Sequence, residues 1–332
     1  MKSKLAILLA LVAGAAAAPV YAQTSPDADF AARCSAPGVV KCFGFDNTTT
    51  DIVRGTNTFP DGSGVFRAGL DTATKASGGG SLRFDLPPPP QAGANLAGSW
   101  VPVGGWGRTF SQNSTFYVQY RMRLSSYMVQ PGSWDGMIYK TSIFHSGGKT
   151  CASIELTTSG YYGSPMAQLD TDCGGRFMWS TLDGTQYTNA PPLLMQQTDN
   201  LKCVYGTDYA ANCVNFVADE WMTLYYRVQI GTWDQPNSQI DAWVGRDGQP
   251  LRQYVKMRNF LLSCNGSCTT SPDKDDGYNN VTLTPYMTHL PTTAGPSTAA
   301  HMWFDEFIVS SQPIALPGNV VRPDPPTNVT AN

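Results

Sequence analysis

From Phe116 to Leu124 the chain alternates apolar and polar residues one for one. Phe116, Val118, Tyr120, Met122 and Leu124 are separated by Tyr117, Gln119, Arg121 and Arg123. Side chains on a β-strand point to opposite faces in turn. The pattern therefore predicts a strand over 115–125 with an apolar core face and a second face of Tyr, Gln and Arg. The same alternation recurs. Between 221 and 231, Met222, Leu224, Tyr226, Val228 and Ile230 oppose Thr223, Tyr225, Arg227 and Gln229. Between 152 and 158, Ile154 and Leu156 oppose Ser153, Glu155 and Thr157; between 167 and 172, Ala167 and Leu169 oppose Gln168, Asp170 and Asp172. Between 281 and 287, Val281 and Leu283 oppose Thr282, Thr284 and Tyr286.

Further strands are predicted over 42–45, 81–86, 137–146, 176–180, 239–245, 253–257 and 302–310, and the one helix-period segment of the mature chain is 27–33. Turn chemistry lies between them at Asp61-Gly62, Gly78-Gly79-Gly80, Asp183-Gly184 and Asp247-Gly248. Short strands at regular spacing with frequent turns indicate an all-β, two-sheet antiparallel β-sandwich or jelly roll. Residues 187–212 read as a long polar insertion, and Pro87 to Pro90 as a stiff loop.

Composition fixes the setting. Lys2 and Lys4 precede an apolar run from Leu5 to Ala18, followed by Val20-Tyr21-Ala22, so residues 1–22 read as a bacterial signal peptide. The expected destination is secretion or the periplasm. No cysteine follows the run and no other segment is apolar enough to span, so no membrane anchor is expected. Residues 23–316 are expected to form a single domain, with a Pro-rich tail over 317–332. The formal charge of −3 becomes about −5 once Lys2 and Lys4 are removed, which argues against a nucleic-acid partner. The sequons at Asn47, Asn113, Asn265, Asn280 and Asn328 carry little meaning behind a bacterial leader. Eight cysteines suit an oxidising compartment. The expected disulfides join sequence neighbours: Cys34 with Cys42, Cys151 with Cys173, Cys203 with Cys213, and Cys264 with Cys268. Other connectivities remain open on sequence alone. A zinc site would need tighter cysteine pairs than the chain offers.

The second faces of the strands carry Tyr, Arg and Gln where an ordinary solvated face carries Thr, Ser and Lys. Those side chains make planar, bidentate and stacking contacts, and sugar rings present both hydroxyl edges and apolar faces. A polysaccharide groove in a concave sheet is the expected use.

Trp221-Met222-Thr223-Leu224-Tyr225-Tyr226-Arg227-Val228 followed by Ile240-Asp241-Ala242-Trp243-Val244 resembles a hairpin of the concanavalin A-like lectin/glucanase jelly rolls. Ser81-Leu82-Arg83-Phe84 and the run from Trp303 to Val309 resemble their early and last strands. Within that superfamily, "FYVQYRMRLS" followed by "YKTSIFHSG" is similar to the polysaccharide lyases of the alginate, glucuronan and heparin type. The resemblance covers most of residues 40–315 as a strand pattern. It implies an acidic polysaccharide bound in the concave sheet, neutralisation of its uronate carboxylate, removal of the C5 proton and protonation of the leaving O4. The family's Q-x-H motif falls at Ile143-Phe144-His145 and matches in its histidine only; its C-terminal tyrosine motif finds no match.

The candidate residues follow. His145 is the expected base, because neutral imidazole takes a proton near neutral pH. Strict alternation groups His145 with Ile143 and Tyr139, and puts Lys140 and Ser142 on the other face unless a bulge intervenes. Tyr139, Tyr225 and Tyr286 are the candidate proton donors. Gln119, Arg121, Arg123, Lys140 and Arg227 are the expected carboxylate-neutralising set, with Tyr117, Gln168, Gln229 and Trp243 completing the binding face. Glu155 and Asp170 offer a glycosidase alternative as paired carboxylates, although the E-x-D-x-x-E signature of laminarinase-type jelly rolls is absent. A non-catalytic carbohydrate-binding or surface protein is the other alternative. No cofactor is expected; Asp170 and Asp172, or Asp273, Asp275 and Asp276, supply oxygens of the kind a structural calcium takes. A monomer is expected.

Overall fold

The computed structural model describes residues 25–47, 67–86, 101–103, 105–129, 138–145, 156–161, 164–170, 177–180, 186–190, 193–194, 197–198, 201–202, 214–233, 235–262, 277–284, 287–288 and 300–318. A helix, α1 (Pro26–Cys34), precedes strands β1 (Val39–Phe43), β2 (Arg67–Asp71), β3 (Ser81–Leu86), β4 (Val101–Val103), β5 (Phe110–Ser111) and β6 (Thr115–Leu124). A single turn, α2 (Ser126–Val129), leads to β7 (Ile138–His145), β8 (Leu156–Tyr161), β9 (Ser164–Asp170) and β10 (Phe177–Ser180). Short pieces follow: β11 (Gln186–Ala190), β12 (Leu193–Leu194), β13 (Gln197–Thr198) and β14 (Leu201–Lys202). Then come β15 (Met222–Gln229), β16 (Pro236–Arg246), β17 (Arg252–Leu261), β18 (Gly277–Tyr278), β19 (Asn280–Leu283), β20 (Met287–Thr288) and β21 (Ala300–Ser310).

Two antiparallel sheets carry the fold. The larger runs β11-β10-β17-β16-β15-β6-β21-β3-β2, with β1 also on β21 and β13 making a parallel contact with β17. The smaller runs β12-β9-β8-β7-β19-β4, with β20 on β7. The core lies between them. Val118, Tyr120 and Met122 of β6, Leu224 and Tyr226 of β15 and Phe304 of β21 pack with Phe144, Val281 and Leu283 of the smaller sheet. Burying each such side chain contributes about 1.5–3 kcal/mol. The Tyr120 hydroxyl lies 2.9 Å from Ser142 Oγ of β7, bridging the sheets inside the apolar layer. The two-sheet sandwich expected from period-two alternation is the observed fold.

The strand boundaries agree closely for the long elements: 115–125 was expected and Thr115–Leu124 is found, and 302–310 widens to Ala300–Ser310. The 187–212 stretch is corrected. It contains parts of β11 and all of β12, β13 and β14, because short paired pieces carry too few alternations to read. Strands β4, β5 and β18 also escaped the pattern for this reason, and β2 was not expected either.

Helix α1 starts where Ser25 Oγ accepts the Ala28 N–H at 3.3 Å, with Pro26 in the first turn and Asp27 and Asp29 beside the positive helix end. Cys34, its last residue, is disulfide-bonded to Cys42 in β1, as expected. The other six cysteines, residues 1–22 and the tail beyond 318 lie outside the described residues.

Candidate functional site

The polar face of β6 begins as a closed seam. Arg33 of α1 is 3% exposed and lies across this face. It donates to Gln119 Oε1 at 2.7 Å, to Asp29 Oδ2 at 2.9 Å, and to Glu306 Oε2 of β21. Gln119 in turn donates to the Ala315 carbonyl at 3.0 Å. A bulge in β21 makes the arrangement: three steps from Asp305 to Ile308 stand against two from Arg121 to Gln119. Asp305 and Glu306 therefore both occupy the outer face between the core residues Phe304 and Phe307, and Glu306 takes a left-handed φ of 48°. Alongside, Tyr225, Leu251, Ile308 and Ile314 form a second apolar cluster, with Phe30, Tyr117 and Trp243 packed on it. The Tyr225 hydroxyl accepts the Ile314 N–H at 3.0 Å, and burial pushes its pKa up to about 12. Gln119 and Tyr225 are thus structural here, and the expected roles as substrate grip and proton donor do not fit them.

Arg121 is buried, donates to Asp247 Oδ1 of the β16–β17 turn at 2.5 Å, and faces Thr223 and Asp305 in register. Arg123 is half-buried over the Trp303 ring at 5.8 Å. The Asp305 carboxyl is pushed up to about 8, first by burial and further by Glu306, against the N–H groups of Ala76, Ser77 and Glu306 that it accepts.

Farther along the same outer face lies an open shelf. Arg227 of β15 and Arg258 of β17 each keep 27% of the side chain exposed. Both donate to Asp241 of β16, at 2.8 and 2.9 Å, and Gln253 adds a third donor at 3.0 Å. Arg227 also donates to Gln229 at 2.5 Å. Tyr117 pairs with Arg227 in register, and Trp243 stands edge-on to Tyr225 at 5.7 Å. Arg227, Gln229, Trp243 and Tyr117 were expected together and are found together. Asp241, Gln253 and Arg258 were missed, although the alternation of Ile240, Ala242 and Val244 already set Asp241 outward.

His145 belongs to the other sheet. Ser142 and Phe144 of β7 reach the core, so His145 and Ile143 lie on the opposite face, outside the smaller sheet. Arg121 lies outside the larger sheet. The whole sandwich separates them, so the expected grouping of His145 with Arg121 is corrected. What the fold brings to His145 is different. Its Nε2 lies 2.8 Å from Thr282 Oγ1 of β19. The register of β7 against β8 shifts between Lys140 and Ser142: Ser142 faces Thr158, yet Lys140 faces Ser159. This is the bulge that the sequence left open, and it moves Lys140 into line with Ile143 and His145. Paired backbone positions then run Thr282–Ile143–Thr157–Asp170 across four strands, with Lys140–Ser159–Gln168 beside them. At about 4.8 Å per strand step the first row is about 14 Å wide. Asn280 Oδ1 and Thr284 Oγ1, flanking Thr282 on this face, are buried without a hydrogen-bond partner among the described residues.

Tyr139 lies in β7 opposite Gly160 and Met287. Glu155, Asp172, Tyr286, His289, Asp273, Asp275 and Asp276 lie outside the described residues. Among the described residues no group of three or more His, Cys, Asp or Glu gathers around a metal-sized site.

No family model matches the chain, and no curated protein matches it. Among solved structures, the chain is similar to an endo-β-1,4-glucuronan lyase from the fungus Trichoderma reesei, at 10% identity and a TM-score of 0.49 over 82% of this chain and 95% of that one. A marine PL-14 alginate lyase from Aplysia kurodai gives 10% identity and 0.45 over 73% and 86%. A cellulose-induced protein gives 13% and 0.42 over 82% and 97%. These are likenesses of strand arrangement; the sandwich itself stands on the strand pairings above.

Proposed function

We propose that this protein engages an acidic polysaccharide along the outer face of the smaller sheet and cleaves it by β-elimination. The observation that carries this reading is the polar cluster on that face: His145 held by Thr282, Lys140 brought into line by the bulge, and Asn280 and Thr284 flanking Thr282. A neutral imidazole takes up a proton near neutral pH. His145 then accepts the C5 proton, the C–H electrons form the C4–C5 double bond, and the C4–O4 bond breaks. The proton passes to the departing O4. The Lys140 ammonium adds positive charge to this face, where a uronate carboxylate otherwise opposes carbanion character at C5. The leader-like residues 1–22 and the Cys34–Cys42 bridge support export to an oxidising compartment.

The ultraviolet absorbance of the new conjugated double bond tests the reading on a panel of uronate polymers. His145→Ala should slow product formation about 10²–10⁴-fold, the usual contribution of a general base, while polymer retention stays near wild type. Undiminished product from His145→Ala would remove the histidine from the mechanism. A second reading, binding without cleavage, is favoured by the 3% exposure of His145. Polymer retained on this face with no absorbance change would establish it.

A further inference from the structure

We propose that the Arg227–Asp241–Arg258 shelf on the outer face of the larger sheet is a second binding site for anionic polysaccharide, on the opposite side of the sandwich from His145. Its ligand class rests on the function proposed above; its geometry does not.

The shelf has more cation than its own carboxylate can answer. Asp241 is buried and its two oxygens accept from Arg227, Arg258 and Gln253, so one negative charge serves two guanidinium groups. The surplus is not sealed in, because both arginines keep 27% of the side chain exposed. A chain with formal charge −3 thus concentrates positive charge on one open patch. Fixed in place by a common carboxylate, the two guanidinium planes lose little freedom on meeting a ligand carboxylate, and arginine binds such groups through parallel N–H donors. Gln229 and Gln239, both within reach of Arg227, add amide groups suited to sugar hydroxyls. The half-buried rings of Tyr117 and Trp243 border the patch and supply the apolar surface on which a sugar ring stacks. Carboxylate, hydroxyl and ring face are the three features of a uronate unit. A polymer held here would be anchored while another stretch, or another chain, occupies the smaller sheet, raising the effective concentration at that face.

The test compares retention on beads carrying polygalacturonate with retention on its uncharged methyl ester. Removing both arginines alone would leave the Asp241 carboxylate buried without a cation, so the informative variant is Arg227→Gln/Asp241→Asn/Arg258→Gln, which neutralises the network while keeping amide partners. Its retention on polygalacturonate should fall about tenfold at low salt, the size of one lost charge-assisted contact. Raised salt should weaken wild type in the same way, and the methyl ester should hold both proteins equally weakly. Product formation from short soluble oligomers is read in parallel on the wild-type protein. Arg258→Gln alone, which leaves Asp241 with Arg227 and Gln253, should fall part of the way and guards against misfolding of the triple variant. Wild-type retention by both variants overturns the shelf, as does equal binding of the two polymers by wild type or no retention at all. If retention follows the shelf while no oligomer is cleaved, the shelf stands and the elimination chemistry alone is withdrawn.

Discussion

Arg33→Ala asks whether the polar face of β6 is a closed seam or a groove. The guanidinium makes three polar contacts, and two of them, to Gln119 and Glu306, are in the interior. The Asp29 contact, at i,i+4 on α1, is worth about 0.3–0.5 kcal/mol. Removing the guanidinium leaves Glu306 buried without its cation, a change that costs about 3–5 kcal/mol when one partner of an interior pair is deleted. Contact with the Phe30 ring at 5.5 Å adds about 0.5–1 kcal/mol. Arg33→Ala should therefore destabilise by about 4–6 kcal/mol, most of it from the stranded carboxylate.

That origin can be separated from lost packing. Arg33→Met/Glu306→Gln removes both charges and keeps most of the volume, so it should recover about 2 kcal/mol or more of the loss. Urea unfolding followed by tryptophan fluorescence measures both, with an unchanged urea slope showing that only stability moved. A loss below about 1 kcal/mol for Arg33→Ala would refute the reasoning. It would mean that α1 does not close over Gln119, and the Tyr117–Gln119–Tyr225 face would return as a candidate groove.

Two further outcomes are expected. Asp305 titrates near 8 in the folded protein against 3.8 as its ordinary value, so the folded state holds the extra proton between those limits and loses stability as pH rises through them, at about 1.4 kcal/mol per unit. Asp305→Asn should flatten that part of the pH–stability curve in calorimetry, whatever it does to the absolute value; an unchanged slope would show that the carboxylate is not desolvated. Opening the Cys34–Cys42 bridge with Cys→Ser at both positions frees a loop of sequence separation 8. The chain-entropy cost is about 2–3 kcal/mol in urea unfolding, and no change would show that the loop is already ordered without the bond.

The fold was legible because long strands repeat their pattern often enough to be counted. Five alternations in β6 set Val118, Tyr120 and Met122 inward, and the same count in β15 set Leu224 and Tyr226 beside them. Two-residue pieces such as β12 and β13 hold no period, and their pairing comes from contacts distant in sequence. The character of a face was less legible than its existence. Alternation shows that Gln119 and Tyr225 point away from the main core; it does not show that α1 and residues 311–318 return to cover them. Nor does it say which sheet a strand joins. The similar polar faces of β6 and β7 suggested one groove, yet they lie on opposite sides of the sandwich.

Bulges explain the remaining differences. One extra residue in β21 sets Asp305 and Glu306 together on the outer face, which makes possible the pair with Arg33. A shift between Ala242 and Trp243 brings Gln253 to Asp241, giving that carboxylate its third donor. The shift between Lys140 and Ser142 puts Lys140 in line with His145. Each costs a ladder position and places a polar group that period two would have set elsewhere. A regular sheet has only two faces to give its residues. By breaking the period on β7 the chain keeps Ser142 and Phe144 in the core and still supplies both a cation and an imidazole to the outside. Core demands share in it, since an unbroken strand holding Ser142 and Phe144 inward would turn Lys140 inward as well. The bulge in β7 is therefore what sets a lysine in line with His145 on the outer face of the smaller sheet.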